Sequence, residues 1–447
     1  MMLARSILSL VSLALLSGSP EVRPAGGPPA VSVEELLASA RGTAPALCAL
    51  AADGISSGRW GGGWGPPTQP LGTDVRRRIR AMREKALSPE EVQAAMASLG
   101  SADACERQLG AAILGNASDK SLAGPVARRL ASASSPERVA ALVALGTMGA
   151  SSQAKSIVGL LEDASADVRA NAVWALGRID AREAAPAVSM RLKDGQALVR
   201  AASVTALGRL EHKESVPALA RLLGTDPDIE VRRLSAWAIG AMDERSAAAA
   251  LTTALEKDAD PGVREMTAWA LAEAGVPEAA GKLVNALLGD RVAAVRETAA
   301  WALGEMEVRA TAVGLTQALA DHDRRVRATA AWALGQMEMN RAPAALVKAM
   351  RDEEGDVRVA AAWALSQIAD PDTTTAVSEA LKTETRDDVR QAQVRALLQS
   401  GQPTSKAIEG LLDSKDAKTR ELAVRALSGR AGPWPWPWPQ PRPRPFP

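Results

Sequence analysis

Val168-Arg169-Ala170-Asn171-Ala172-Val173-Trp174-Ala175-Leu176-Gly177 and Val231-Arg232-Arg233-Leu234-Ser235-Ala236-Trp237-Ala238-Ile239-Gly240 are two copies of one frame. The frame returns at Val263-Arg264, Val295-Arg296, Val326-Arg327, Val357-Arg358 and Val389-Arg390, and weaker copies keep Arg107, Arg138, Arg200 and Arg420. These eleven arginines are spaced by 31, 31, 31, 32, 32, 32, 31, 31, 32 and 30 residues. A period of this length, held from Arg107 to Arg420, marks one supersecondary unit stacked on copies of itself.

Each unit reads as two helices. In the unit ending near Met337, Ala310–Leu319 carries Val313, Leu315 and Leu319 as the stripe of a first helix, and Asp321-His322-Asp323 makes a turn. A second helix runs from about Arg325 to Met337, with Val326, Thr329, Ala333, Leu334 and Met337 at helical spacing. Neither helix buries its stripe alone, so neighbouring units complete the core. No run alternates with the period of a strand. The chain is therefore expected to be an all-α, right-handed α-solenoid of about eleven two-helix repeats.

A second marker is an Asp six residues before the Arg: Asp163 before Arg169, Asp194 before Arg200, Asp226 before Arg232, Asp258 before Arg264, Asp290 before Arg296, Asp321 before Arg327 and Asp352 before Arg358. Such an Asp can cap free backbone N–H groups at a helix start. It can also accept from the guanidinium of its own or the adjacent repeat, giving a ladder along the stack. Because the pairs neutralise each other, a structural role is expected rather than a charged binding face.

The Asp–Arg pair and the Val-Arg-x-x-Ala-x-Trp-Ala-Leu-Gly helix resemble the HEAT-repeat family, in particular the short repeats named after phycobilisome lyases. The resemblance covers roughly residues 92–430 and implies a binding surface more than an activity. Two enzyme branches use the repeat. The deoxyhypusine-hydroxylase branch implies His-Glu pairs for a di-iron site, but the only histidines are His212, in Glu211-His212-Lys213-Glu214, and His322, between two Asp. No metal site and no cofactor are expected. The bilin-lyase branch works inside the cell, which the leader described below argues against.

In resembling solenoids the second helix lines the concave face. At about 100° per residue, Val231, Leu234, Ala238, Ile239 and Met242 share one side, while Trp237 lies roughly 130° round and Gly240 nearly opposite. A groove floored by Ala and Gly is expected, flanked by Trp174, Trp237, Trp269, Trp301, Trp332 and Trp363. Those rings either fill the core over small residues of the neighbouring helix or form an aromatic ridge for an extended peptide. The most outward row, one after the Arg, reads Ala170, Ala201, Arg233, Glu265, Glu297, Ala328, Val359 and Gln391. It is mixed in charge, so a nucleic-acid partner is not expected.

Composition narrows the function classes. Lys+Arg number 53 and Asp+Glu 52, so no global field favours a polyanion. Two His and two Cys leave little for zinc, iron–sulfur or Cys–His chemistry. Hydrophobic residues at 47%, with 11 Trp, one Phe and no Tyr, imply a core of Ala, Leu, Val and Met.

Residues 1–19 read as a secretory signal peptide: a basic start at Arg5, an apolar run over Ile7–Leu16, and Ser17-Gly18-Ser19 as a small-x-small site. The expected location is periplasmic or secreted, with at most peripheral membrane contact. Residues 20–30 are a linker. Under oxidising conditions Cys48 and Cys105 are expected to form one bridge, which stabilises by roughly 4 kcal/mol in the chain-entropy model. Residues 31–91 read as a helical N-terminal cap. It contains a Gly/Trp loop at Gly58–Pro67 and a basic helix at Asp74–Lys85.

The solenoid is expected over 92–430 and a Pro/Trp-rich, extended or disordered tail over 431–447. The tail offers Trp434, Trp436 and Trp438 to a groove, its own or a neighbour's, to a lipid interface, or to a Pro-binding protein. The function expected overall is a non-enzymatic, exported scaffold for a protein or extended peptide. The other readings are a relative of the two enzyme branches and a sensor or regulatory domain of an envelope signalling system.

Overall fold

The computed structural model describes residues 33–41, 87–399, 411–414 and 417–428. The leader, the Gly/Trp loop, the basic segment at 74–85 and the Pro/Trp tail lie outside these residues, as do Cys48, Trp434, Trp436 and Trp438. Among the described residues the regular structure is helical throughout.

The inner layer is a file of helices, each packed on the next. They are α1 (Ala104–Gly115), α2 (Ser135–Met148), α3 (Ala166–Arg178), α4 (Ala197–Arg209), α5 (Ile229–Ala241), α6 (Pro261–Glu273), α7 (Ala293–Glu305), α8 (Arg324–Gln336), α9 (Gly355–Ile368), α10 (Asp387–Gln399) and α11 (Ala417–Leu427). The outer layer is shorter. Between α7 and α8, for example, it is a 3-10 turn at Arg309–Thr311 followed by a helix at Ala312–Ala318.

Burial follows the apolar pattern with one exception. Leu315, Val326, Thr329, Ala333, Leu334 and Met337 are all 0% exposed, whereas Val313 is 70% exposed. Val313 stands two residues before Leu315, about 200° round the helix, and so points away from the core that Leu315 enters. The first-helix stripe is narrower than expected.

The tight return from inner to outer layer is made at one register. Eleven residues after the frame arginine the chain turns left-handed: Gly149, Asp180, Glu211, Asp243, Gly275, Glu307, Glu338 and Ala369 all have φ between 43° and 70°. The N–H after that residue reaches back to the helix, as from Ala181 to the Leu176 carbonyl and from Val276 to the Leu271 carbonyl, both at 3.1 Å. This satisfies helix-end carbonyls that would otherwise be orphaned. Glycine is free of the Cβ penalty there, and Ala369 bears it with no polar side chain in return. Ala369→Gly is expected to stabilise by about 0.5–1 kcal/mol, seen as a higher midpoint in urea. An unchanged or lower midpoint would contradict the strain assigned to this turn.

Cys105 is buried in α1 and disulfide-bonded. The sequence holds one other cysteine, Cys48.

Candidate functional site

The predicted Asp–Arg ladder resolves into a clamp with a defined direction. Arg264 donates from Nε and Nη2 to both oxygens of Asp290 in the following repeat, at 2.7 and 3.0 Å. Its Nη1 donates to the Asp258 carbonyl of its own repeat at 2.9 Å. The same fork joins Arg169 to Asp194, Arg200 to Asp226, Arg232 to Asp258, Arg296 to Asp321 and Arg327 to Asp352, while Arg358 uses Glu384. Arg138 reaches Asp163 through Nη2 alone.

Within its own repeat the Asp therefore meets the guanidinium through its carbonyl, and its carboxylate serves the arginine of the repeat before. The capping role also differs from expectation. Asp258 Oδ1 accepts from the Asp260 N–H at 2.9 Å, closing a turn, and Asp260 itself caps α6 through the Val263 N–H at 3.1 Å. The frame Asp lies at the end of the outer helix, two residues too early to cap the inner one.

The electrostatics fit a built-in structural element. The bond from Arg169 holds the Asp194 carboxyl below its ordinary range against the opposing effect of burial. Burial alone would raise Asp258, yet the bonds from Arg232 and the Asp260 N–H keep it below. Such carboxylates stabilise the fold above their ordinary pKa, and that stability is lost as pH falls through the depressed values.

Most of the tryptophans are covered by the neighbouring inner helix. Trp237, Trp269, Trp332 and Trp363 are only 7–8% exposed, while Trp174 and Trp301 are half-buried. Each of these rings except Trp301 meets a close-packed position on an inner helix. A Cβ built on Gly240 would stand 2.8 Å from Trp269 Cζ3, and one on Gly335 would stand 2.5 Å from Trp363 Cζ3. Gly146, Gly208 and Gly304 face the rings of Trp174, Trp237 and Trp332 in the same way. The helices approach closely because these positions have no side chain. Gly240 is thus an interhelical contact and Ala236 is fully buried, which corrects the expected Ala/Gly groove floor. The exposed aromatic ridge reduces to Trp174 and Trp301.

What lines the inner surface is a stripe of mixed polarity at i, i+4 and i+8 on the helices from α3 to α9, with a Trp in the middle except on α4, where the residue is Thr205. Its first row is the mixed row one after the arginine. Its last row, nine after the arginine, reads Arg178, Arg209, Ala241, Glu273, Glu305, Gln336 and Gln367. Charge is segregated along it. Arg178 lies over the Trp174 ring, 5.9 Å from the centroid, and burial lowers the pKa of both Arg178 and Arg209, which also repel each other. On α6 and α7 the stripes become Glu265-Trp269-Glu273 and Glu297-Trp301-Glu305. The indole N–H groups of Trp269 and Trp301 bond Glu273 and Glu305, yet burial, first of all, raises both carboxyls. Beyond them, α8 and α9 carry Ala328, Gln336, Val359 and Gln367, all uncharged. Sequence reasoning identified the first row of this stripe and missed the last.

Glu265 is the most perturbed acid there. Burial, and then the neighbouring Glu297, push it up to about 7, against the pull of Arg233 and Arg325. Arg325 lies 3.7 Å from Glu297, and Arg233 is engaged by Glu230 at 2.6 Å. A raised acid disfavours the fold once it ionises, so its cost grows as pH rises from about 4.5 to about 7. Glu265→Gln is expected to be neutral at pH 4. At pH 8 it should stabilise by about 1–2 kcal/mol, a figure reduced for the water that still reaches the groove. Paired thermal melts at the two pH values check this, and equal effects at both would remove it.

No group of three or more His, Cys, Asp or Glu among the described residues is placed to hold a metal ion. No described helix is long and apolar enough to cross a membrane.

The family model described as HEAT repeats matches residues 122–198, 154–239, 189–272, 248–313 and 311–398. No curated protein matches the sequence. Among solved structures, the one reporting that Kap95p binding induces the switch loops of RanGDP to adopt the GTP-bound conformation aligns with 14% identity and a TM-score of 0.55. It covers 95% of this chain and 66% of that one. Importin beta in an ammonium sulfate condition gives 14% and 0.58, over 89% and 64%. The Kap95:Nup1 complex gives 15% and 0.53, over 80% and 60%. The chain thus spans less than two thirds of each of these relatives, and at such identities the likeness is one of fold.

Proposed function

Since the chain belongs to the HEAT-repeat family, we propose that it is an exported, non-enzymatic scaffold that binds an extended protein segment along its concave face. The observation that carries this reading is the stripe on α3–α9, whose charged members change from Arg to Glu and then give way to uncharged residues, in order. A surface graded in this way can set the direction and register of a bound strand, which a uniformly charged face cannot. The binding of Kap95p to RanGDP and its complex with Nup1 support a protein as the partner class. The leader-like residues 1–19 and the disulfide at Cys105 support export.

The test is crosslinked capture from the native cell envelope. Wild-type protein is compared with Glu273→Lys/Glu305→Lys, two exposed positions chosen so that helicity is retained. A protein held by the first and lost by the second is expected. Equal capture by both would move binding away from the concave face, and capture of nothing by either would remove the scaffold reading.

A further inference from the structure

The row of rings is broken at one place. On α4 the middle of the stripe is Thr205, where α3 and α5–α9 carry Trp. The effect is visible on the neighbouring helix. Gly146, Gly208, Gly240, Gly304 and Gly335 each lie against a ring of the next inner helix, and all are buried. Gly177 of α3 holds the same register, but a Cβ built on it would meet Ala206, at 3.1 and 3.2 Å, and no ring within 4 Å. Gly177 is also partly exposed. With threonine in place of an indole, the inner surface has a notch between α3 and α4.

The lining of the notch is polar and positive. Arg178 and Arg209 stand at one register on the two helices that form it, and Arg178 lies over the Trp174 ring. Both guanidiniums are half-buried, so the fold holds two like charges side by side where water screens them poorly. One turn before Arg209, Thr205 is 8% exposed, and its Oγ1 is buried with no hydrogen-bond partner. Thr267, also buried, bonds the Val263 carbonyl at 2.7 Å instead. Thr298 and Thr329 share the state of Thr205, but they are 0% exposed in the core, whereas Thr205 stands in the groove row. A hydroxyl in that state beside two guanidiniums is a donor set for an oxyanion.

We propose that this notch is a carboxylate subsite, entered by a glutamate or aspartate side chain of the bound segment, with Arg178 and Arg209 forking the carboxylate and Thr205 donating to it from below. The proposal rests on the reading of the concave face as a surface for an extended protein segment. A carboxylate is the anion that such a segment carries, and its planar oxygens match the guanidinium fork. Seated there, it relieves the repulsion between the two arginines and gives the hydroxyl an acceptor. The interaction therefore removes costs that the fold bears without it. It also sets the register of the segment, because from α3 to α9 this last row carries arginine on α3 and α4 alone.

The test uses the full chain and fluorescence anisotropy of a dye-labelled, end-blocked peptide of alternating glutamate and serine, beside its glutamine–serine counterpart. The glutamate peptide is expected to bind about ten-fold more tightly, the scale of a charge-assisted hydrogen bond. Arg178→Gln and Arg209→Gln should each remove most of that preference. Thr205→Trp restores the ring of the other helices over Gly177, so helicity should be kept while the preference is lost. Thr205→Val keeps the shape without the hydroxyl, and should weaken the preference about three-fold. Equal binding of the two peptides would overturn the proposal, and so would a preference untouched by Thr205→Val and the arginine variants. Displacement of the peptide by an equal concentration of inorganic phosphate would overturn the carboxylate assignment. Envelope capture lost in Glu273→Lys/Glu305→Lys but unchanged in Arg178→Gln/Arg209→Gln would remove this subsite and leave the scaffold reading standing.

Discussion

Trp332→Ala is expected to destabilise its region by about 3–5 kcal/mol, the usual cost of removing a large aromatic from a packed core. The ring is 8% exposed, meets the glycine face of α7 at Gly304, and stacks on Trp363 with centroids 6.5 Å apart and planes 17° from parallel. Alanine would leave a void that Gly304 cannot fill, since it has no side chain to move. A solenoid is held by nearest-neighbour interfaces, so the loss is local. Hydrogen exchange should show protection falling in α7–α9 while α3–α5 keep theirs. Trp301→Ala, at a half-buried ring, is expected to cost less. Equal losses for the two variants, or none for Trp332→Ala, would show that burial does not rank these rings.

Asp290→Ala is expected to cost a similar amount, about 3–5 kcal/mol, for a different reason. It leaves the Arg264 guanidinium, whose side chain is 16% exposed, with its carboxylate removed and its desolvation unpaid. The Val292 N–H loses its acceptor as well. Replacing both partners, as Arg264→Leu/Asp290→Leu, should be much milder than Asp290→Ala alone, because no charge is then stranded. Chemical denaturation of the two variants and of Arg264→Leu gives the coupling. If the double variant is as unstable as Asp290→Ala, the clamp is not acting as a charge pair. Acid should weaken the native ladder as its depressed carboxylates protonate. Glu265 works in the opposite sense, since its burden falls at low pH.

The solenoid was legible because its signal repeats: a Val-Arg frame, an Asp six residues earlier, and an apolar stripe too narrow to be buried alone. The clamp partners were legible as residue types, but not as a direction. Asp290 lies close to its own Arg296 in sequence and a whole repeat beyond Arg264, yet its carboxylate serves Arg264, which only the stacking of repeats decides. The fate of the tryptophans was hidden for a similar reason. Helical phase places Trp237 on a flank, but whether that flank is wet depends on how closely the next helix approaches. The glycine at the facing position sets that approach. The row that contains Glu273 and Glu305 was missed because it lies beyond the recurring motif, where composition varies from repeat to repeat.

The two margins of the repeat stack are tied very differently. One carries the buried two-pronged clamps. The other, at the left-handed turns, carries exposed pairs such as Arg182–Glu211 at 3.5 Å and Arg309–Glu338 at 3.0 Å, which add little stiffness in water. Mechanically the molecule is a bound book: its spine keeps a fixed pitch while its fore-edge is free to fan. Elastic strain imposed by an occupant is then taken up as superhelical twist about that spine, with the spacing along the spine unchanged.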